Sequence, residues 1–275
     1  MSVEMSALAK QPAEAVKMRQ LGLSIVMKIR PVILPIIFVV TILLIWEWFV
    51  SFYEIDHVLL PPPTEIGSMF VKAFPIFLVH IVPTALESAA AFVLALVAGV
   101  GIAIAITQSP IIREAIFPNL VVFALIPKVA LAPLFIIWFG IESEMRLAFS
   151  AFISFFPIVI ATSAGLTSVH PDMLRLARSL TATDWQTFVT VRFPFALPYI
   201  FSGMKIAMTF SIIGVIVGEF ITSQRGLGYL ILLASSKAET DFIFAGLIVL
   251  SAMGLTLYGT VALGEWLIKK RYSSI

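Results

Sequence analysis

Six continuous apolar runs, each long enough to cross a bilayer, constrain this chain more than anything else in its sequence. They lie at about 32–52, 86–107, 117–139, 146–166, 198–221 and 242–267. A helix of about 20 apolar residues spans the hydrocarbon core. A membrane β-barrel would instead show strict alternation of apolar and polar residues. The runs are unbroken, so the expectation is an all-α polytopic membrane protein with six transmembrane helices. The first run is longer than the apolar region of a cleavable signal and follows a polar, basic stretch, so it is expected to stay in the mature chain.

Composition closes the other classes. The chain of 275 residues is 60% hydrophobic and 12% charged, against about 25% charged in soluble domains. That excludes a soluble enzyme, a disordered chain and a nucleic-acid binder. There is no cysteine, hence no disulfide and no thiolate metal ligand. The three histidines, His57, His80 and His170, are scattered, and no H-E-x-x-H motif is present, so no metal site is expected.

Orientation follows from the basic residues, which concentrate on the cytoplasmic side of membrane proteins. Lys10, Lys17, Arg19, Lys28, Arg30, Arg113, Arg175, Arg178, Arg192, Lys269, Lys270 and Arg271 fall on one side. Lys72, Arg146, Arg225 and Lys237 fall on the other, and Lys128 and Lys205 lie within runs. Both termini are therefore expected in the cytoplasm, which requires an even number of spans. Trp46, Trp48 and Tyr53 end the first run as an interfacial aromatic belt, with Glu47 at that interface.

Residues 1–30 form a cytoplasmic tail and 31–275 the transmembrane domain. Residues 1–16 are expected to be disordered. Residues 17–30 read either as a short amphipathic surface helix or as a plain basic flank. In the outer loop 54–85, Pro61, Pro62 and Pro63 forbid a continuing helix, and Thr64 and Glu65 start a short amphipathic one. The outer loop 222–241 is too apolar to be free: Leu227, Tyr229, Leu230, Ile231 and Leu232 are expected to pack as a short helix, with Gly226 and Gly228 providing the turn.

The largest cytoplasmic loop, about 167–197, contains HPDMLRLARSLTATDWQTFVTVRFPFALP at 170–198. Pro171 suits a first helical position and Asp172 the first turn. Residues 172–180 then place Met173, Leu176, Ala177 and Leu180 on one face and Arg175 and Arg178 on another. The pattern breaks at Thr181–Asp184. Thr183 and Gln186 have capping-box spacing for a second helix, whose apolar face is Trp185, Phe188 and Val189, and Pro194 and Pro198 are expected to end it. A basic hairpin with such a face calls for a partner.

This loop resembles the signature loop of type I binding-protein-dependent ABC importer permeases, E-A-A, three residues, G, nine residues, I-x-L-P. Arg175, Leu176 and Ala177 stand at E-A-A, Thr181 at the glycine, and Val191, Phe193 and Pro194 at I, L and P. LPPPTEI at 60–66, IPKVALAPLFIIWFGI at 126–141, ALPYIFSGMKIAM at 196–208 and GEFITSQRGLGYLI at 218–231 are similar to the nitrate/sulfonate/taurine subgroup. The resemblance covers about 55–270. It implies two permeases forming a path, as homodimer or heterodimer, in the bacterial inner membrane. It also implies two cytosolic ATPases docked on the loops and an external binding protein delivering solute.

The ATPase-docking residues implied are Arg175, Leu176, Ala177, Arg178, Leu180, Thr181, Thr183, Asp184, Trp185 and Phe188. The solute implied is a sulfonate-, taurine-, nitrate- or bicarbonate-like anion, with a pyrimidine or thiamine precursor as the other candidate. No cofactor is expected in this chain, ATP and Mg belonging to the partner ATPase. The phosphate-binding motif G-x-x-x-x-G-K-[ST] is absent, since no Lys precedes Ser or Thr. Two departures carry expectations. Thr181 disfavours the left-handed turn that glycine allows, so the turn is expected to be more helical. Arg175 reverses a charge, so a complementary acid is expected on the ATPase.

Among polar residues within runs, Lys128, Glu219 and Glu87 are the candidates for the translocation path; Lys128 reads either as a structural pair or as path-lining, and Glu219, near the outer end, is expected rather to pair or cap structurally, with path lining as the alternative. Glu87 and Glu219, both placed near helix ends, are the candidate acidic partners of Lys128. Lys205 is expected to snorkel to the cytoplasm, Phe149, Phe152, Phe155 and Phe156 to pack, and Pro127, Pro133 and Pro157 to bend their helices. Two rivals differ in prediction: an ion-coupled secondary transporter or channel needs no ATPase, and a membrane scaffold carries no flux.

Overall fold

The computed structural model describes residues 13–222 and 224–272, at 13–29, 32 and 271–272 by the backbone alone. The described residues are helical, without a strand: α1 Ala13–Phe52, α2 Pro63–Thr107, α3 Pro110–Leu125, α4 Ala132–Phe139, α5 Ser143–Thr167, α6 Pro171–Ser179, α7 Asp184–Thr187, α8 Phe193–Thr222, α9 Leu227–Ser236 and α10 Thr240–Tyr272. A 3₁₀ turn, Lys128–Leu131, links α3 to α4, and a π turn, Phe188–Arg192, links α7 to α8. Among the described residues five helices are long and apolar enough to cross a membrane, giving six spans if the α3–α4 pair, bent by 88° at its break, counts as one.

The chain divides into one unit ending at Glu65 and a second beginning at Ile66. In the first unit α1 runs through Pro31 and Pro35 without a break. Its backbone is already helical at 13–16, where disorder was expected, and among the described residues no separate tail helix precedes the span. Residues 1–12, and the side chains that would decide an amphipathic face at 17–29, lie outside the described residues. The expectation for Glu47 needs refinement: its carboxylate accepts the Thr64 backbone N–H at 3.1 Å and the Thr64 hydroxyl at 2.7 Å. The carboxylate thus supplies an acceptor to the orphan donors at the start of α2.

The expected short helix after Thr64 does not exist as such. Pro63 takes the first turn of α2, which continues for 45 residues through Pro75 and Pro83. At 1.5 Å per residue that is about 68 Å, twice the hydrocarbon thickness. A helix in lipid keeps its backbone bonded internally, so interior prolines are tolerated where soluble rules predict a stop. Glu87 therefore lies in the middle of a helix, not near its end. The expected stop at Pro194 and Pro198 also fails. The π turn places the Phe193 N–H on the Phe188 carbonyl, and Pro194 falls in the first turn of α8, where its missing N–H costs nothing.

α5 and α8 run antiparallel along a seam of small residues. A Cβ on Gly218 would come within 2.7 Å of the Arg146 side chain, one on Gly214 within 2.7 Å of the Ser150 Cα, and one on Gly203 within 2.7 Å of the Ala161 Cβ. Small residues let membrane helices approach where no hydrophobic force separates protein from lipid. Serines stitch the seam: Ser150 Oγ donates to the Ser211 carbonyl at 2.6 Å, and Ser211 Oγ to the Ser88 carbonyl of α2. The phenylalanines do pack. Phe149 is fully buried against Phe135 of α4, ring centroids 5.4 Å apart, with Met145 and Ile153 in the same cluster.

Candidate functional site

The loop joining α5 to α8 is the hairpin expected from sequence. In α6 the His170 imidazole accepts the Asp172 N–H at 3.4 Å and Asp172 accepts from Arg175 at 3.1 Å. In α7 the capping box is complete: Thr183 Oγ accepts the Gln186 N–H at 3.2 Å, and Gln186 Oε1 accepts the Thr183 N–H at 2.8 Å.

The turn between them corrects the expectation for Thr181. Its φ is +56°, the left-handed conformation. The Thr181 N–H donates to the Arg178 carbonyl at 3.0 Å and the Ala182 N–H to the Ala177 carbonyl at 3.1 Å. That pair of bonds is a Schellman C-cap, in which the left-handed residue is usually glycine. The backbone bonds that satisfy the helix end outweigh the intrinsic cost of about 1–2 kcal/mol for a left-handed residue with a Cβ.

The apolar faces are exposed. Leu180 is 71%, Trp185 72% and Leu176 54% accessible, while Ala177 turns inward at 8%. Trp185 stacks on Phe188 with centroids 5.8 Å apart. Those two, Asp184 and Arg192 border a cleft of about 380 Å³ with Ile104 and Gln108. Arg175 and Arg178 are exposed beside the apolar patch. Every candidate docking residue from Arg175 to Phe188 is thus brought to one end of the α5–α8 pair, with buried Ala177 and half-buried Phe188, packed against Leu166, Ala196 and Ile200, seating the hairpin.

Lys128 is not brought together with the other two path candidates, whereas Glu87 and Glu219 lie near each other on either side of Thr84 and Arg146. Lys128 sits at the break between α3 and α4, where its ammonium donates to the Ala124 carbonyl and lies 5.1 Å from the Phe156 ring centroid. Neither expected acid is its partner. Glu87 binds Arg146, with Nε to Oε2 at 2.7 Å and Nη2 to Oε1 at 2.6 Å. Arg146, counted among loop cations from sequence, is 7% exposed at the start of α5. The pair borders a polar cleft of about 400 Å³ with Glu142, Thr222, Gln224 and Arg225. Lys205 does not snorkel freely: it pairs with Glu265 of α10, which also accepts from Lys269 at 2.7 Å.

Glu219, 1% exposed, belongs to a different construction. The N-terminus of α9 has no capping side chain of its own, since its N-cap is Gly226. Three consecutive backbone donors are satisfied from other helices. Gly226 N–H donates to His80 Nδ1 at 3.0 Å, Leu227 N–H to Thr84 Oγ at 2.9 Å, and Gly228 N–H to Glu219 Oε2 at 2.7 Å. Thr84 Oγ in turn donates to Glu219 Oε1 at 2.7 Å. Each such buried donor left unmet would cost about 1–3 kcal/mol. Gly226 has φ +114°, and a Cβ there would lie 2.0 Å from Glu219 Oε1. Gly228 is not a turn residue as expected. It lies inside α9, and its lack of a side chain admits the carboxylate, 2.8 Å from where a Cβ would be. His80 and Thr84 escaped the sequence reading, although their i, i+4 spacing marks one face of a helix.

Residues 92–269 match the family described as binding-protein-dependent transport system inner membrane component. A probable ABC transporter permease protein of Haemophilus influenzae is 31% identical over 89% of this chain and 98% of its own length. A formylaminopyrimidine transport permease protein of Halalkalibacterium halodurans is 29% identical over 82% and 91%. The taurine transport system permease protein of Escherichia coli is 28% identical over 83% and 86%.

Proposed function

The chain belongs to the family of binding-protein-dependent transport system inner membrane components, and on that premise we propose that its exposed hairpin is the docking surface for a cytosolic ATPase. The protein is a multi-pass permease subunit of an ABC importer. The observation that supports the docking role is the hairpin's pairing of exposed Leu176, Leu180 and Trp185 with flanking Arg175 and Arg178. Such a patch on a rigid element suits a groove in a partner.

In this reading the termini and the hairpin face the cytoplasm, and the membrane is the bacterial inner membrane. Two permease copies, or this chain and a paralogue, enclose the path. An external binding protein delivers the solute. ATP and Mg are held by the ATPase, and closure of its dimer pushes on α6 and α7. The α5–α8 seam carries that push across the bilayer. The solute is a small anion of the sulfonate, taurine, nitrate or bicarbonate kind, in keeping with the taurine permease among the relatives and with Lys128 at the break of a span. Lys128 and Glu87 border the path in this reading, whereas the Glu219 carboxylate is committed to capping α9.

The test is co-purification of the tagged chain from native membranes in mild detergent, with each stoichiometric partner identified by mass spectrometry. An ATPase subunit is expected, and it is expected to be lost when Leu176, Trp185 and Phe188 are replaced by Asp. Recovery of the chain alone, under conditions that keep other ABC complexes whole, would overturn the reading in favour of an ion-coupled transporter.

A further inference from the structure

We propose that the outer side of α3 is the contact between two copies of this chain, with Asn119 of each copy hydrogen-bonded to its counterpart across a two-fold axis, a proposal that rests on the permease reading above. None of the 16 residues of α3 is buried. The helix leans on its own chain through Leu120, packed against Ala103, Ile106 and Val159. Phe117, Val121 and Ala124, on the same side, are half-buried. At about 100° per residue, the opposite side carries Ile112, Ala115, Asn119 and Val122, with Ile126 at the helix cap. All of these are exposed, Val122 at 62%. They are spaced alternately three and four residues apart, the repeat with which one helix packs along another, in membranes as in coiled coils.

Two features make this side unsuited to lipid. Asn119 lies about 14 Å along the helix from Pro110, within the apolar run. Its Nδ2 donates to the Ala115 carbonyl at 2.7 Å, and among the described residues its Oδ1 accepts no hydrogen bond. Facing hydrocarbon, that oxygen would lack the partner that a polar group needs out of water. The second feature is the break. The chain leaves the α-helix between α3 and α4, and Ile126, Pro127, Val129 and Ala130 are exposed there. Irregular backbone at membrane depth is tolerated only where protein covers it or where it lines water, and two permeases enclosing a path supply both.

The amide identifies the covering chain as a second copy. Copies inserted with one topology are related by an axis along the membrane normal, so each residue on that axis meets its counterpart at its own depth. An amide carries a donor and an acceptor and is its own electrostatic complement. Two Asn119 side chains facing across the axis therefore satisfy each other. Ala115, one turn away, lets the backbones approach. A single polar residue in such a stripe fixes register and the number of copies.

The chain has no cysteine, so a single introduced thiol is its only one. Ala115→Cys and Val122→Cys are made separately in the full chain and oxidised with copper phenanthroline in native membranes. The readout is a disulfide-linked pair of this chain on a non-reducing gel, and both variants are expected to link. Leu120→Cys, at the same depth on the packed side, is expected not to link. Val97→Cys, 69% exposed on α2, is the control for random collision and is also expected not to link. Adding Asn119→Leu is expected to slow linking at Val122→Cys about tenfold, the share of one interhelical hydrogen bond. Asn119→Gln, which keeps the amide, is expected to retain most of the rate. Two copies carrying different tags are expected to co-purify in mild detergent. Absence of linking at both Ala115→Cys and Val122→Cys would overturn the proposal, as would equal linking at Val97→Cys or a Val122→Cys rate unchanged by Asn119→Leu. Recovery of a permease of different sequence in place of the second tagged copy would also overturn it and leave the permease reading intact. Linking through Ala115→Cys and Val122→Cys in a chain that recovers no ATPase would instead sink the permease reading and leave the contact standing.

Discussion

Arg146 of α5 grips Glu87 of α2 through two parallel N–H···O bonds of 2.7 and 2.6 Å. Their side chains are 9% and 19% exposed. A bidentate pair of this kind fixes geometry as well as charge. Breaking it from one side strands a charge where water is scarce, at a cost of about 3–5 kcal/mol, whereas replacing both partners by apolar groups is often neutral. Glu87→Gln is therefore expected to lower the melting temperature in detergent clearly, and Glu87→Met combined with Arg146→Met to recover most of the loss. A single variant that melts with the parent would show that the pair contributes nothing net.

Thr181 offers a change in the opposite direction. It holds φ +56° in a complete Schellman cap. Thr181→Gly keeps those backbone bonds and removes the Cβ clash, so it is expected to stabilise the hairpin by about 1 kcal/mol. Hydrogen exchange at Leu180–Ala182 checks this, slower exchange being the expected result. Thr181→Val keeps the strain and loses the hydroxyl that bonds the Leu180 carbonyl, and is expected to speed exchange.

The same residue marks the limit of what the sequence discloses. Spacing alone located both hairpin helices and the capping box of Thr183 and Gln186, because caps are local and the residues are adjacent in the chain. The six apolar runs were legible because bilayer thickness sets their length. What failed were judgements that tertiary context overrides. The proline rule for water ended the second hairpin helix at Pro194, where the structure runs on into α8, and the helix begun at Thr64 was read as short although it continues through Pro75 and Pro83. Partner assignment by composition paired Lys128 with Glu87 and Glu219, but which carboxylate meets which cation depends on the α2–α5 and α2–α8 contacts. A structural role for Glu219 was legible, but what it caps was hidden for the same reason: the donors lie at 226–228 and the other two acceptors at 80 and 84.

The α5–α8 seam has a steric signature. A Cβ on Gly214 would lie 2.7 Å from both the Ser150 Cα and the Ile153 side chain, and backbone cannot yield as a side chain tip can. Gly214→Ala is expected to cost about 1–3 kcal/mol by overpacking, and Gly214→Val to abolish a monodisperse peak in size-exclusion chromatography. Gly67→Ala, with nothing within 4 Å of its would-be Cβ, sits in a helix and is expected to be neutral or slightly stabilising. Equal behaviour of the two alanine variants would show that the seam is not tight.

Arg175 stands at the glutamate position of the signature loop that this hairpin resembles, and its side chain is 78% exposed, paired with Asp172 at 3.1 Å. An exposed pair contributes at most about 1 kcal/mol, a factor of about five in affinity, and its share shrinks with salt. Arg175→Glu is thus expected to weaken ATPase binding several-fold at low salt and hardly at all at 0.5 M, whereas Trp185→Ala, which removes apolar area, is expected to weaken it at both. The charge reversal should be repaired by reversing one acidic residue in the ATPase groove. Binding by Arg175→Glu that equals the parent at low salt would mean that the arginine faces solvent in the assembled importer and that Leu176, Leu180 and Trp185 carry the contact alone.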